Sequence, residues 1–342
     1  MRGSLPRTRP LFLASLAQLE LSVSLPDSDL ARVLVVDPIA PSALDELRTH
    51  YDVTVRLRPE SAELAHLLSD QDAIVLRSGI KLPGDIIATA PRLRVIARAG
   101  NGVDNIDLDA AREADVQVFN IPSVSSRAVA ELAIGLLFSV ARHLPLADRQ
   151  VRAGSWRKAS LAGTELNGKT LGVVGLGDIG SYIAAIGLGL GMNVIGSVGV
   201  RTAERTKQWA AAGVGLTTTA EVLATSDMVV VACPLTDFTR HLINAQALAA
   251  MQSHAYLVNV ARAGVVDEPA LYTALKERRL AGAALDVHTT ESGTPALAEL
   301  DNVVLTPHIG AMTHDAQDRI GRTLIDGLEL ALAGHDAPTR IC

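Results

Sequence analysis

The stretch Thr170-Leu-Gly-Val-Val-Gly-Leu-Gly-Asp-Ile-Gly180 gives the strongest indication of the fold of this chain. Residues 170–174 (TLGVV) predict a buried strand, and the glycines that follow have the spacing G-x-G-x-x-G where a helix is predicted to begin. In that context the motif is typical of dinucleotide binding; elsewhere it would indicate only a turn. Gly175 permits a tight turn, Gly177 lets the backbone approach a pyrophosphate at the helix N-terminus, and Gly180 allows close helix–strand packing.

Alternating strands and helices extend from this motif in both directions. In the block at 32–120, apolar strands are predicted at 32–37, 53–55, 73–76, 93–97 and 116–119. In the block at 169–309, they are predicted at 170–174, 193–196, 228–233, 255–260, 282–286 and 303–305. The pattern predicts an α/β protein with two Rossmann-like parallel-sheet domains and an active-site cleft between them.

The chain is expected to cross between the two blocks twice. Apolar residues at helical spacing predict a joining helix over 127–142, residues 146–168 are predicted to be irregular, and a last helix over 313–333 would return to the first block. The predicted domains are an extended or disordered leader at 1–31, a substrate domain at 32–124 plus 311–342, and a dinucleotide-binding Rossmann domain at 125–310.

Composition limits the classes of function. Of 342 residues, 48% are hydrophobic and 20% are charged, which provides ample material for packed cores. The net charge of −6 comes without a block of Lys and Arg, so we expect no nucleic-acid partner. Cys233 and Cys342 have neither CxxC nor CxxH spacing, so we expect no disulfide framework, no metal site and a cytoplasmic location.

Two apolar stretches invite a different interpretation. Residues 11–25 follow several arginines and loosely resemble a signal peptide, but Glu20 interrupts the run and no cleavage site stands out. Residues 179–200 carry no charge and have the length of a membrane span. Glycines interrupt this second stretch, and the glycine motif requires a helix, a turn and a strand there. We therefore expect no membrane association.

The position that would read the cofactor ribose lacks a carboxylate. An Asp or Glu is expected about 20 residues into the βαβ unit, where this chain has Val198. Such an acid would bond the 2′-hydroxyl of NAD and repel the 2′-phosphate of NADP. Arg201, alone or with Arg205, would instead pair with a phosphate, unless both are solvated residues at a helix start. NAD(H) and NADP(H) therefore both remain open.

Polar side chains follow four of the apolar strands. They lie in residues 98–105 (RAGNGVDN), 258–268 (VNVARAGVVDE), 284–291 (ALDVHTTE) and 306–310 (TPHIG). In these segments the chain resembles the D-isomer-specific 2-hydroxyacid dehydrogenases, and the resemblance extends over residues 32–330. It implies an NAD(P)-dependent enzyme that transfers a hydride between the cofactor and C2 of a small 2-hydroxy or 2-oxo acid.

Three residues match the chemistry that this reaction needs. A guanidinium binds a carboxylate bidentately and polarises a carbonyl, which suits Arg262. An imidazole exchanges a proton near neutral pH, which suits His308. A carboxylate beside that imidazole fixes its tautomer and orientation, which suits Glu291. These are also the Arg, Glu and His that match the catalytic positions of the family.

The resemblance implies further contacts. Asp286 would contact the nicotinamide carboxamide, and the 98–102 loop would offer backbone N–H groups to the substrate carboxylate. The remaining cofactor candidates are Asp178, Ile179, Cys233, Pro234 and Ala261, and the remaining substrate candidates are Ser78, Gly100, Asn101 and Gly102. The chain departs from the usual family pattern at His288, Thr289 and Ser292, so the loop after Asp286 is expected to differ in shape.

The sequence leaves two alternative functions open and predicts one protein partner. The first alternative is a non-enzymatic, dinucleotide-sensing interaction protein like the corepressors that share this fold; the second is formate or phosphonate oxidation on the same scaffold. The apolar helix at 127–142 and the arm at 145–168 exceed what one cofactor domain needs to cover itself. Relatives form a two-fold dimer through that region, so we predict a homodimer.

Overall fold

Two parallel sheets form the core of this computed structural model, which describes residues 30–290 and 293–342. The predicted leader therefore lies outside the described residues up to position 29, and Glu291 and Ser292 lie outside them too. All strand pairings within both sheets are parallel. The predicted α/β architecture with two Rossmann-like sheets is confirmed.

The first sheet has five strands in the order β2-β1-β3-β4-β5. Its strands are β1 Arg32–Val35, β2 Asp52–Val55, β3 Ala73–Leu76, β4 Val95–Arg98 and β5 Gln117–Asn120. Its connecting helices are α1 Pro41–His50, α2 Ser61–Leu68, α3 Gly84–Ala88 and α4 Leu108–Glu113. Every residue of β3 and β4 is buried, as expected for central parallel strands that are covered on both faces.

The joining region contains two helices, α5 Ser126–Ala141 and α6 Leu144–Arg152. The prediction that residues 146–168 are irregular is therefore wrong over α6. Pro145 lies in the first turn of α6, where its missing N–H would have no intrahelical partner, so it begins this helix and does not break it. His143, with a φ of 53°, makes the left-handed break between the helices.

The second sheet has seven strands in the order β12-β11-β10-β9-β6-β7-β8. Its strands are β6 Thr170–Val174, β7 Asn193–Ser197, β8 Val214–Leu216, β9 Met228–Val231, β10 Tyr256–Asn259, β11 Gly282–Leu285 and β12 Val303–Leu305. Its helices are α7 Asp178–Gly189, α8 Ala203–Ala211, α9 Thr219–Thr225, α10 Ala245–Ala250 and α11 Glu268–Lys276. We did not predict β8, because a three-residue edge strand is too short to show periodicity.

The last helix, α12 His314–Leu332, packs on the first sheet. Its residues Ile320, Leu324 and Leu328 are buried in one cluster with Val33 and Val95. The chain thus leaves the second sheet after β12 and ends against the first. The carboxyl ends of strands from both sheets meet beside this crossing, where ligands bind in open parallel sheets.

Within the residues that the structure covers, no single helix has the length and apolar composition of a membrane span. The α5–α6 pair, bent by 61°, meets those two criteria only when both helices are taken together.

Candidate active site

The turn after β6 has the geometry that its glycines predict. Gly175 has a φ of 101°, and a Cβ on it would fall 2.7 Å from the backbone nitrogen of Cys233. A Cβ on Gly180 would fall 2.0 Å from the carbonyl oxygen of Gly175. A Cβ on Gly177 would meet no atom within 4 Å, so the backbone faces open space at the N-terminus of α7. This space fits a pyrophosphate.

The other cofactor candidates surround this turn. Asp178 begins α7 and accepts a hydrogen bond from the Ser123 hydroxyl, while Ile179 packs against the apolar core. Cys233 is buried, and burial raises the pKa of its thiol to about 11. The thiol is therefore un-ionised at neutral pH and contributes shape, not charge. Pro234 is exposed next to it, and the buried Ala261 follows β10.

The corner between β7 and α8 contains no carboxylate up to Glu204, in the first turn of α8. Val198 is half-buried and packs against the core. Arg205 is committed to the corner itself, because its backbone N–H donates to the Thr202 hydroxyl at 3.2 Å and its guanidinium donates to the Val200 carbonyl at 2.9 Å. Arg201 is exposed there.

Arg262 reaches from the second sheet to a loop of the first. Its Nε donates to Oδ1 of Asp104 at 3.2 Å, and its Nη1 donates to the Ala261 carbonyl at 2.8 Å. A Cβ on Gly102 would fall 1.8 Å from Nη2 of Arg262, so the guanidinium lies directly on that glycine. Burial acts to raise the pKa of Asp104, but the charge and hydrogen bond of Arg262 outweigh it and hold this pKa below its ordinary value.

Within the 98–102 loop, only part of the backbone is available to a ligand. The amide of Ala99 donates to the Leu76 carbonyl and that of Gly100 donates to the Arg98 carbonyl. Among the described residues, the amides of Asn101 and Gly102 have no such acceptor. The N–H groups that the resemblance implies for a substrate carboxylate are therefore those of residues 101 and 102.

His308 is presented by a turn that Asp286 holds. The turn places His308 at a φ of 55°, and its backbone N–H donates to the Asp286 carbonyl at 2.8 Å. The Asp286 carboxylate accepts from the Thr306 hydroxyl at 2.6 Å and from the amides of Ile309 and Gly310, both at 2.8 Å. Three of its roughly four acceptor positions are thus used by the turn. The resemblance implies that Asp286 contacts the nicotinamide carboxamide, and at most one acceptor position of its carboxylate is left for that contact.

The loop that leads to Glu291 is tied to α11. The buried carboxylate of Glu268 accepts from the backbone N–H of Thr289 at 2.6 Å and from its hydroxyl at 2.8 Å. Glu268 follows Arg262 by six positions, so one short segment carries the candidate arginine and anchors the loop of the candidate glutamate. Glu268 was not singled out from the sequence, although it ends the quoted motif VNVARAGVVDE.

A cavity of about 620 Å³ opens where the two sheets meet. Its lining consists of Asp37, Pro38, Arg58, Arg77, Ser78, Gly79, Asp286, Val287, His288, Pro307, His308, Ile309 and Met312. Three sequence-based candidates, Ser78, Asp286 and His308, therefore share one cavity. Arg262 and the 100–102 loop form a second cluster that is not part of this lining.

The sequence analysis did not single out Arg58 and Arg77, the two arginines that line this cavity. Arg77 directly follows β3, and its guanidinium donates to the Pro38 carbonyl at 3.3 Å and to Oε1 of Gln317 at 3.2 Å. Burial lowers the pKa of Arg77, and the charge of Asp37 partly opposes that shift. For Arg77 the available signal was its position directly after the buried strand β3, next to Ser78.

Comparison with known proteins agrees with this geometry. The profile of the family described as D-isomer specific 2-hydroxyacid dehydrogenase, NAD binding domain, matches residues 134–310. The chain is 40% identical over 319 residues to the D-3-phosphoglycerate dehydrogenase of Methanocaldococcus jannaschii, covering 90% of this chain but only 58% of that relative. It is 39% identical over 300 residues to the hydroxypyruvate reductase of Thermotoga maritima, covering 86% of this chain and 96% of that relative.

One solved structure is informative about ligands. The NADPH-dependent glyoxylate/hydroxypyruvate reductase of Sinorhizobium meliloti, determined in complex with NADP and malonate, superposes with a TM-score of 0.81 at 29% identity. The match covers 92% of this chain and 97% of that structure. The chain thus spans nearly all of the reductase, and somewhat more than half of the phosphoglycerate dehydrogenase.

Proposed function

The chain belongs to the family of D-isomer-specific 2-hydroxyacid dehydrogenases, and we propose that it interconverts a small 2-oxo acid and its 2-hydroxy acid with a nicotinamide cofactor. The observation that carries this proposal is the contact of Arg262 with Gly102. It brings a cation from the second sheet onto the loop of the first whose amides at 101 and 102 remain available. A carboxylate bound there would lie between the two domains, beside the cavity that His308 lines.

The residues divide the chemistry as follows. Arg262 binds the substrate carboxylate and polarises the C2 carbonyl. His308 donates its imidazole proton to the oxygen on C2 during reduction and takes it back during oxidation. Glu291 orients that imidazole and stabilises its protonated form. A bound nicotinamide supplies or accepts the hydride.

The cavity favours acids with a second anionic group. Arg58 and Arg77 both line it, while its two carboxylates are engaged: Asp37 accepts from the backbone N–H of Arg77 at 2.6 Å, and Asp286 holds the His308 turn. The side chain of Arg58 has no ion-pair partner among the described residues, so it would pair with an anion at the far end of the substrate. Hydroxypyruvate, with a hydroxyl in that place, and 3-phosphohydroxypyruvate, with a phosphate, are the informative pair of substrates.

The corner after β7 accepts NADP(H) as well as NAD(H). No carboxylate before Glu204 is available to repel a 2′-phosphate, and the exposed Arg201 is available to pair with one. Replacing Arg201 by Ala should lower kcat/KM for NADPH by about tenfold, the effect of one charge-assisted contact. It should leave kcat/KM for NADH within about twofold. Lys207→Ala, at an exposed position on α8, is the charge-matched control, and an equal loss with both cofactors would contradict the role of Arg201.

A second copy of the chain is the proposed partner. Leu144, Val151 and Trp156 project from the arm that contains α6, and Trp156 is 81% exposed. Apolar side chains at that exposure are expected to be covered by a partner. Light scattering should give the mass of a homodimer at micromolar concentration, and Val151→Asp should give the mass of a monomer. We also propose a cytoplasmic location, because Cys233 and Cys342 are both free thiols.

A substrate panel tests the proposed function directly. Glyoxylate, pyruvate, hydroxypyruvate and 3-phosphohydroxypyruvate would each be mixed with NADH or NADPH, and loss of the reduced nicotinamide absorbance would be followed. Turnover of at least one 2-oxo acid is expected. Tight cofactor binding without any turnover would overturn the proposal and favour a dinucleotide-sensing interaction protein. Formate and a phosphonate would be tested separately with NAD⁺ or NADP⁺ as the hydride acceptor, and turnover of these alone would assign the scaffold to those oxidations.

A further inference from the structure

Arg98 is a buried cation that the proposed reaction has not yet used. Arg98 is the last residue of β4 and is only 7% exposed. Its Nε has no hydrogen-bond partner within the described part of the chain. Burying a guanidinium with an unpaired N–H costs free energy, so such a group is retained only where something else compensates it. The compensation is not a close ion pair with Asp37 or Asp104, which act on it only through longer-range charge.

The charges around Arg98 are unfavourable to it. Burial, followed by the positive charges of Arg262 and Arg77, lowers the pKa of Arg98 to about 10, against the weaker opposing effect of Asp104 and Asp37. Asp104 is already hydrogen-bonded to Arg262, and Asp37 to the backbone of Arg77. Arg98, Arg262 and Arg77 thus lie near only two carboxylates, those of Asp104 and Asp37. This leaves an excess of one positive charge, which an anion would neutralise.

The guanidinium of Arg98 lies beneath the loop that carries the available amides. A Cβ on Gly100 would fall 2.1 Å from Nη1 of Arg98, so the loop backbone passes directly over the guanidinium. The loop continues through Asn101 to Gly102, on which Arg262 rests. Residues 100–102 are therefore held between two guanidinium groups, one from each sheet.

We propose that Arg98 is a positioning residue for the substrate carboxylate. Its buried charge lies under the 100–102 loop and, together with Arg262, holds that carboxylate against the amides of Asn101 and Gly102. This inference deepens the proposed function and depends on it for the identity of the ligand. It explains why a costly buried cation stands at the end of a central strand.

Calorimetric binding of oxalate to the full-length protein tests the role of Arg98 without turnover. Oxalate carries the carboxylate that the loop would hold, and it undergoes no reduction. Arg98→Met, which keeps a long side chain and removes its charge, should weaken oxalate binding by at least about tenfold, because the anion would lose a buried positive charge beneath its loop. The dissociation constant for the nicotinamide cofactor should stay within about twofold.

Two further variants keep the test decisive. Arg94→Met removes the same charge four positions earlier, where Arg94 is half-exposed and donates to the Leu332 carbonyl, and it should leave oxalate affinity unchanged. Arg98→Lys retains a cation and should restore part of the affinity. Because a buried ammonium deprotonates more readily than a guanidinium, oxalate binding to Arg98→Lys should weaken at a lower pH than binding to the unaltered protein.

The outcomes separate the two proposals. Unchanged oxalate affinity in Arg98→Met, or no measurable oxalate binding to the unaltered protein, would overturn the inference. An equal loss of oxalate affinity, cofactor affinity and melting temperature in Arg98→Met, without partial recovery in Arg98→Lys, would reduce Arg98 to a structural role and also overturn it. Oxalate binding that depends on Arg98, in a protein that reduces no 2-oxo acid, would overturn the proposed function alone.

Discussion

Gly102 lies in the loop after β4 of the first sheet and Arg262 in the loop after β10 of the second. A single added carbon on Gly102 would nevertheless fall 1.8 Å from Nη2 of Arg262. The same carbon would fall 2.6 Å from Oδ1 of Asp104, the ion-pair partner of that arginine. No positive φ is recorded for Gly102, so its backbone does not itself require glycine. Glycine is needed here because the guanidinium occupies the place of a side chain.

Gly102→Ala should therefore impair catalysis more than folding. The methyl group would push the Arg262 guanidinium off the loop and break its bond with Asp104, and a misplacement of about 1 Å in a positioning group costs roughly a hundredfold in rate. We expect kcat/KM for the best 2-oxo acid to fall by about that factor, with a melting temperature within a few degrees of the unaltered protein. Gly189→Ala, where the methyl group meets nothing within 4 Å, is the matched control and should retain full activity.

Replacing Arg262 itself should have a larger effect. Arg262→Ala removes both carboxylate binding and carbonyl polarisation, so kcat/KM should fall by roughly two to four orders of magnitude. Arg262→Lys should have a kcat/KM between those of Arg262→Ala and the unaltered protein, because an ammonium keeps the charge but cannot bind a carboxylate bidentately. The control is Arg279→Ala, which removes an exposed arginine paired with Glu277. If the kcat/KM of Arg262→Ala stayed within a few fold of the unaltered protein, the catalytic role of Arg262 would be contradicted.

Substitution by alanine should change the free energy of unfolding in opposite directions at Gly187 and Gly189, the two glycines late in α7. A Cβ on Gly187 would fall 2.5 Å from Cδ2 of the fully buried Leu171, so this glycine allows the helix to approach β6. Overpacking of about 1–3 kcal/mol should exceed the helix-propensity gain of about 1 kcal/mol, and Gly187→Ala should lower the free energy of unfolding. Gly189→Ala meets no atom and should raise it by up to about 1 kcal/mol. Urea unfolding of both variants measures the contrast.

The Asp104–Arg262 pair should make a pH-dependent contribution to stability. The pKa of Asp104 is lowered in the folded protein, so its contribution is complete above the ordinary carboxyl pKa of about 4 and is lost as the pH falls through the lowered value. Asp104→Asn should be less stable than the unaltered protein near neutral pH, by under about 1 kcal/mol because the pair is partly exposed. The difference should shrink towards zero in acid.

Measuring that difference requires a control for net charge. Asp109→Asn removes the same charge from an exposed position on α4. Urea unfolding of both variants from neutral to acidic pH would separate the pair from a general charge effect. A stability difference for Asp104→Asn that persisted or grew in acid would contradict the role assigned to the pair.

Much of the architecture could be predicted because its signals are local. The predicted strands at 73–76 and 170–174 match β3 and β6, since continuous apolar runs between turn residues are typical of buried parallel strands. The arm after Pro145 was misjudged because a proline that begins a helix and one that ends it differ only in context. The need for glycine at position 187 could not be predicted either, because its contact with Leu171 joins a helix to a strand.

The two-sheet α/β fold, the glycine turn and the order of the polar motifs could all be predicted from the amino-acid sequence. These follow from periodicity and from residues whose backbone preferences act within a few positions. The contacts of Arg262 with Gly102 and of Asp286 with the turn of His308 became visible only in the folded protein. The first joins the two sheets and the second joins two strands, so their distances depend on how the completed sheets pack, which no local pattern encodes. The position of Arg98 beneath the 100–102 loop involves close neighbours in sequence, but its burial depends on the same packing.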